Sequence, residues 1–477
     1  MVAVVNGNKL MNQKLSSQAR WLLWTALVAP LVPKLAEAAS IPDAPASGLA
    51  LPVTVNSSPA SGQTPAFEQW ALHGQVTNVT QWHRRFRSPY SGPNSLQADG
   101  RTEETTDVTL YSGVRLWRSA ELWLNPEVDQ GFGLDNTVGV AGFPSGEAYK
   151  IGADRPYLRL PRAFIRQTFD LGGESAPVEA AANQLGGTKA ADNLTVTIGK
   201  FGVTDIFDAN SYAHDPRVDL LNWSIIDAGS FDYAADAWGY TYGAAAEWTQ
   251  GSRTVRGGVF QLSKIPNGKI TGVDFSQFML IGELEQRYDW QGATGKVKLL
   301  GFLNRGRMAS YRDAVQLGLA NGTAPDVVAV RRYSSRPGIG LNVEHAFTSS
   351  LGAFARASVN DGTKEAYEFT EINRSLSGGI SLKGTSWGRG SDTLAIAGAL
   401  NGLSGDARAY FAAGGTGILI GDGRLNYGAE KIVEANYSVR LHPHLTVALD
   451  FQHVVNPAYN KDRGPVSIYG VRAHADF

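Results

Sequence analysis

Leu445-Thr446-Val447-Ala448-Leu449-Asp450-Phe451-Gln452 puts Leu445, Val447, Leu449 and Phe451 at one parity and Thr446, Asp450 and Gln452 at the other. Successive side chains of a strand point to opposite faces, so the segment reads as a strand with one apolar face and one polar, charge-bearing face. The last residues repeat the pattern: Tyr469, Val471, Ala473, Ala475 and Phe477 alternate with Ile468, Arg472, His474 and Asp476. Upstream, Val108, Leu110, Val114 and Leu116 oppose Thr109, Tyr111, Arg115 and Trp117, and Phe278, Leu280 and Leu284 oppose Gln277, Glu283, Glu285 and Arg287.

Extended along the chain, this alternation predicts sixteen strands, near 69–83, 105–117, 119–127, 157–171, 193–201, 236–248, 252–263, 276–288, 293–305, 333–346, 350–360, 374–384, 391–402, 427–440, 444–454 and 466–477. The connections alternate in length. Long ones fall near 88–104, 128–156, 202–235, 264–275, 306–332, 361–373, 403–426 and 455–465. Tight ones fall at 118, 249–251, 289–292, 347–349, 385–390 and 441–443, and the 172–192 segment is too long for the tight side. Long loops at one end and tight turns at the other are the layout of an all-β, antiparallel up-and-down outer-membrane β-barrel. In lipid every backbone N–H and C=O must be paired, so a spanning sheet has to close on itself. Sixteen strands enclose an interior wide enough for an aqueous channel, whereas eight would fill with side chains. A final amphipathic strand ending on an aromatic residue fits the segment that the barrel-assembly machinery reads.

Composition agrees. Gly accounts for 54 of 477 residues, about 11% against a usual ~7%. Charged residues are 18% and aromatics 10%, with 43 basic against 44 acidic side chains. The near-zero net charge gives no electrostatic reason to expect a nucleic-acid partner. The absence of Cys excludes a disulfide scaffold, a thiolate metal site and a cysteine nucleophile. Lys14 and Arg20, the apolar run Trp21–Val32 and Ala36-Glu37-Ala38 read as a signal peptide over 1–38, with Met11 an alternative start to Met1. Residues 39–66, rich in Pro, Ala and Ser, read as a flexible lead-in, and 67–477 as the barrel.

With the apolar faces toward lipid, the opposite faces name the expected channel lining: Arg115, Trp117, Glu121, Trp123, Asn125, Glu127, Arg162, Arg166 and Thr168. A wall of one charge sign selects ions, whereas mixed Arg, Glu and Trp can bind neutral polyols through hydroxyl hydrogen bonds and ring faces. The same charges could equally pair with each other to satisfy a wet wall. The 202–235 connection, with Asp205, Asp208, Tyr212, His214, Asp215, Arg217, Trp223, Phe231 and Tyr233, is expected to fold into the barrel and narrow it.

Several long, loop-specific strings carry a family resemblance. They are Ser88-Pro89-Tyr90-Ser91-Gly92-Pro93-Asn94-Ser95-Leu96, Gly139-Val140-Ala141-Gly142-Phe143-Pro144 with Gly146-Glu147-Ala148, and Phe164-Ile165-Arg166-Gln167-Thr168-Phe169. Further on come Gly199-Lys200-Phe201, Asp205 to Asn210, His214-Asp215-Pro216-Arg217, Asp232-Tyr233-Ala234-Ala235-Asp236, and Gly414-Gly415-Thr416-Gly417 through Gly421-Asp422-Gly423-Arg424-Leu425-Asn426-Tyr427-Gly428. From about His73 to Phe477 the chain resembles the OprB-type carbohydrate-selective porins. The resemblance implies a sixteen-stranded outer-membrane porin passing glucose-like monosaccharides, with Arg162, Arg166, Glu121 and Glu127 in its constriction.

The expected partners are small neutral sugars, outer-membrane lipid and lipopolysaccharide, and the assembly machinery. No cofactor or metal is expected, and the oligomeric state is left open. Rival readings are a general diffusion porin and an outer-membrane barrel hydrolase, although Ser91, Ser211 and His214 form no evident catalytic arrangement. The Gly-rich run 414–423 lacks the Lys-Ser/Thr of a phosphate loop and reads as a loop-tip turn, His442 and His444 lack a third ligand, and His83, Arg84, Arg85 and Arg87 read as a solvated loop base.

Overall fold

The computed structural model describes residues 67–148 and 152–477. The expected signal peptide and lead-in lie outside the described residues. Sixteen strands form one closed antiparallel barrel in which each pairs with its chain neighbour and the first pairs with the last. They are β1 (Trp70–His83), β2 (Arg101–Trp117), β3 (Ala120–Gly131), β4 (Ala153–Val178), β5 (Gly187–Phe201), β6 (Thr241–Gln250), β7 (Arg253–Gln261), β8 (Phe278–Trp290), β9 (Ala293–Met308), β10 (Arg332–Ala346), β11 (Leu351–Asn360), β12 (Arg374–Gly384), β13 (Arg389–Gly402), β14 (Glu430–His442), β15 (Leu445–Val455) and β16 (Val466–Asp476). All sixteen expected strands are present, and the alternation of long and tight connections is preserved.

The outer face is apolar because one parity of each strand carries Leu, Ile, Val or an aromatic ring. Leu110, Val114, Leu280, Leu284, Leu449 and Phe451 are exposed there. Large rings gather near the short-turn rim, where Trp70, Phe169, Trp248 and Trp290 point outward, as aromatic girdles do at a lipid interface. The seam is closed by register and by packing. Trp82 lies opposite Tyr469 with the rings stacked at 5.8 Å. Phe477 exchanges both backbone hydrogen bonds with Gly74, 2.8 and 2.9 Å. Its ring covers Gly74 so closely that a Cβ there would lie 2.4 Å from the ring.

Two parts of the fold depart from the sequence reading. The 172–192 segment is not an irregular insert: β4 and β5 extend through it as a paired hairpin, with turn residues between Val178 and Gly187. The long connections also contain helices, which strand periodicity could not reveal. These are α1 (Trp223–Ile226), α2 (Tyr311–Asn321) and α3 (Gly405–Ala412). Ser310 caps α2 by accepting from the Asp313 amide at 3.3 Å, and Ser404 caps α3 by accepting from the Ala407 amide at 3.0 Å.

The packing at the seam makes a direct prediction. Gly74→Val should force the Phe477 ring off the β1–β16 junction at a cost of ~1–3 kcal/mol. The urea midpoint of micelle-folded protein should fall accordingly, and an unchanged midpoint would show that the seam does not depend on this contact.

Candidate functional site: the lumen and its constriction

The connection between β5 and β6 folds into the barrel, as the sequence reading expected, and almost every residue from Asn222 to Ala237 is buried. Beyond the four-residue α1 it has little regular structure, so its backbone groups need partners from elsewhere. The barrel wall supplies them. Arg356 on β11 donates to the carbonyls of Ile225 and Ala213 at 2.8 Å each. Arg472 on β16 donates to Pro216, Asp219 and Val218 at 2.7 to 2.8 Å. Glu434 on β14 accepts from the amides of Leu221 and Asn222. Arg336 on β10 pairs with Asp232, which also accepts from the amides of Tyr367 and Glu368 at 2.8 and 3.0 Å.

This anchoring corrects part of the expected lining. Asp208 does not face a channel: it accepts from the Ala228 amide (2.7 Å) and Asn342 Nδ2 (2.7 Å) and pairs with Arg356 at 3.2 Å. Asp215 accepts from the Arg217 amide at 2.9 Å, and His214 is half-buried with Nδ1 4.0 Å from Asp227. These three hold the loop's shape. Trp123 is fully buried beneath β2, its indole donating to Glu121 at 2.9 Å, so its ring faces are covered. Trp117 is on the outside. A register slip between Arg115 and Trp117 sets it opposite Ala120 on the lipid parity, and it is 59% exposed and bonded to Gln167 at 2.6 Å. Arg115 sits at the short-turn rim, donating to the carbonyls of Glu68 (2.8 Å) and Gly186 (3.0 Å).

The remaining expected residues meet in two places. On the short-turn side, Arg166 lies 3.8 Å from Glu121 and donates to the carbonyl of Asn183 at 2.7 Å. At mid-barrel, Glu127 is the node of a charge cluster: it accepts from Thr109 (2.6 Å), Arg159 (2.6 Å) and Arg217 (3.2 Å). Arg217, delivered by the inserted loop, also reaches Glu147 at 3.2 Å and Asp107 at 3.5 Å. Arg159 pairs with Asp129 as well. Arg162 grips Asp205 with two hydrogen bonds, 2.8 and 2.7 Å. Burial opposes ionisation of Asp205, but the Arg162 guanidinium overcomes it and holds the carboxyl below its usual range.

Aromatic rings border these guanidinium groups. Arg162 lies 4.9 Å from the Tyr240 ring, and Arg159 lies 5.3 Å from Trp238 and 5.6 Å from Tyr240. On the long-loop side, Trp223 stacks on Phe143 at 5.0 Å beside a pocket of about 60 Å3 that Tyr233, Trp238, Phe369 and Leu419 also line. Parity reasoning missed Arg159 because three residues of β4 oppose two spacings of β3: Asn125 faces Arg162 while Glu127 faces Arg159. The bulge brings both arginines inward. Asp107 and Tyr111 lay on the polar parity of their strand and were findable there; Asp129 fell just past the expected end of its strand at 127, Trp238 and Tyr240 lay in the expected 236–248 strand but precede β6, and Glu147 comes from a connection, where no periodicity exists.

A closed sixteen-stranded barrel with an apolar outer face, a polar lumen and an inserted narrowing loop is an outer-membrane channel of the porin class. Residues 93–477 match the carbohydrate-selective porin, OprB family, and the chain belongs to that family. Its structure is similar to that of OprB from Pseudomonas putida, with a TM-score of 0.65 at 15% identity over 86% of this chain and 94% of that one. The outer-membrane channel DcaP of Acinetobacter baumannii aligns over 86% of this chain and 97% of its own at 11% identity, with a TM-score of 0.46. No curated protein matches the chain in sequence.

The geometry of Arg217 sets one expectation. In Arg217→Ala, Glu127, Asp107 and Glu147 lose their shared counter-charge, so the channel should become more cation-selective. Reversal potentials in a KCl gradient read this directly, and an unshifted potential would remove Arg217 from the lining.

A second expectation concerns pH. Burial and the Asp208 charge push Asp227 up to about 7, and burial and the Asp215 charge push Asp219 up to about 6. Both carboxyls hold protons more tightly in the inserted loop than in a released one. The inserted state is therefore most favoured below the ordinary carboxyl range and loses that advantage as pH rises through 6 and 7. Open-channel current noise should be larger at about pH 8 than at about pH 5; equal noise would show that these groups do not govern the loop.

Proposed function

We propose that the barrel carries out passive, carbohydrate-selective diffusion of small neutral sugars, glucose-like monosaccharides, across the outer membrane into the periplasm. The carrying observation is the mid-barrel wall. Arg159 and Arg162 each stand between carboxylates and aromatic rings, within 2.8 Å of the former and 4.9 to 5.6 Å of the latter. Sugar hydroxyls can accept from guanidinium and donate to carboxylate, while the C–H face of the ring lies on Trp or Tyr. Because each guanidinium is already paired with a carboxylate, an anion gains little by entering. A polyol can exchange hydrogen bonds without carrying charge into the constriction. The residues assigned to solute contact are Arg159, Arg162, Trp238 and Tyr240, with the buried Glu127 holding Arg159 in place, Phe143 and Trp223 on the approach and Glu121 and Arg166 toward the exit.

On this reading the chain is a channel and not an enzyme. His214 is half-buried with Nδ1 directed at Asp227, and Ser211 is engaged with Glu344 at 2.8 Å, so the two are not joined as a nucleophile–base pair. Outer-membrane lipid and lipopolysaccharide would contact the apolar band, and the assembly machinery would engage β16.

Liposome swelling with glucose, arabinose and an amino acid of similar size tests the proposal. Faster sugar entry is expected, and equal rates would favour general diffusion. Arg159→Ala should cut the preference for glucose over the amino acid by roughly five- to tenfold, the loss of about one charge-assisted hydrogen bond. An unchanged preference would take Arg159 out of the sugar path.

A further inference from the structure

The β4–β5 hairpin does something that the other short-turn connections do not. β4 has 26 residues and β5 has 15, against 10 and 9 for the neighbouring β6 and β7. At Gly172 and Gly173, with φ of 130° and 78°, the pairing slips twice, between Asp170 and Gly172 and between Gly172 and Ser175. Such slips bend a ribbon sharply, and positive φ is accessible to glycine without strain.

Beyond the bend the tip returns into the barrel. Asn183 Oδ1 accepts from Asn125 at 2.8 Å, and the Asn183 carbonyl accepts from Arg166 at 2.7 Å. Asn125 is fully buried on the inner wall and lies in register with Arg162, so the tip reaches the level just beneath the Arg162–Asp205 pair. Leu185 is 2% exposed and belongs to the same apolar cluster as Tyr111 and Trp123. Gly186 is tied down by Glu68, whose carboxylate accepts from its amide at 2.8 Å, and by Arg115. Lys189, on the ascending arm, is half-buried and lies in register with Ala176 of β4. Along β5 it has the parity of Asn193, Thr195 and Thr197, the buried polar face turned to the lumen.

We propose that the 172–192 hairpin is a second selectivity element: it curls under the barrel from the periplasmic end and sets the width and charge of the channel exit, with Lys189 as its solute-facing residue and Asn183 anchoring its tip. A solute that clears the mid-barrel arginines then meets the hairpin tip, and the two narrowings act in series. This goes beyond the sugar reading and does not depend on it, because the hairpin would limit salt current whatever the preferred solute.

The chain has no Cys, so Lys189→Cys carries the only thiol. In planar bilayers, a trimethylammonium-ethyl methanethiosulfonate reagent added to each side in turn should lower the KCl conductance of this variant stepwise, by about half or more, as a bulky group does in a narrow pore. Failure of the folded protein to label, or labelling confirmed by mass without a conductance change, would overturn the proposal. Lys189→Glu should shift the reversal potential toward cation selectivity, since it would set a carboxylate in place of a cation at the exit, whereas a purely structural hairpin would leave the potential unmoved. A liposome assay with equal sugar and amino-acid rates would defeat the sugar reading and leave these two outcomes intact.

Discussion

The structure depends on how charge buried in the lumen is neutralised. A closed sheet satisfies its own backbone, but an irregular loop packed inside it brings unpaired amides and carbonyls into a poorly solvated interior. Here the inward side chains of the wall answer that need. Arginines of β10, β11 and β16 take up loop carbonyls and Asp232, and carboxylates on β14 take up loop amides. Glu430 accepts from Ala141, Gly142 and Ala458, tying three further points of the loops to β14. Apart from the Arg336–Asp232 ion pair, each such bond joins a desolvated charge to a neutral dipole, stronger than a neutral pair, and leaving either side alone would cost several kcal/mol. The barrel is the frame, and the pore is shaped by what the frame holds.

This division explains what could be read from the sequence. Strands were legible because a lipid-facing sheet has two chemically opposite faces, and the two-residue period follows directly in stretches such as Leu445–Gln452. The inserted loop was legible by its length. Side-chain direction was legible only where pairing is regular. Trp117 follows one bulge and Arg159 borders another, and a single extra residue reverses every parity assigned beyond it. Asp208, His214 and Asp215 looked like lining because a charged loop residue has no periodic signal to say whether it meets solute or its own backbone.

The Gly-rich run 414–423 illustrates the same limit. It was expected to be a loop-tip turn without a bound phosphate. Its amides at Ile418, Leu419 and Ile420 do converge on an anion, and that anion is the Glu371 carboxylate, at 2.5 to 2.9 Å. A cradle of backbone N–H groups and an internal carboxylate satisfy each other, and the pairing arises between loops distant in sequence. Only the folded arrangement reveals it.

The balance of 43 basic and 44 acidic residues takes its meaning from this economy of pairing. Part of the inward charge is consumed in holding loops, and each guanidinium at mid-barrel is paired with a carboxylate on an adjacent strand or on a loop: Arg159 with Asp129 and Glu127, Arg162 with Asp205, Arg217 with Glu127 and Glu147. Every guanidinium of this wall is paired, and three arginines stand among four carboxylates, so the section has strong local dipoles and a formal excess of negative charge. An anion crossing it would lose hydration and meet that negative excess, whereas a hydroxyl-rich neutral solute gives up water hydrogen bonds and regains them from fixed donors and acceptors. Selectivity of this kind does not follow from composition. It requires that the same arginines and carboxylates that neutralise one another keep some hydrogen-bonding capacity turned toward the lumen, and the aromatic rings of Trp238 and Tyr240 beside them lie where the apolar face of such a solute would rest.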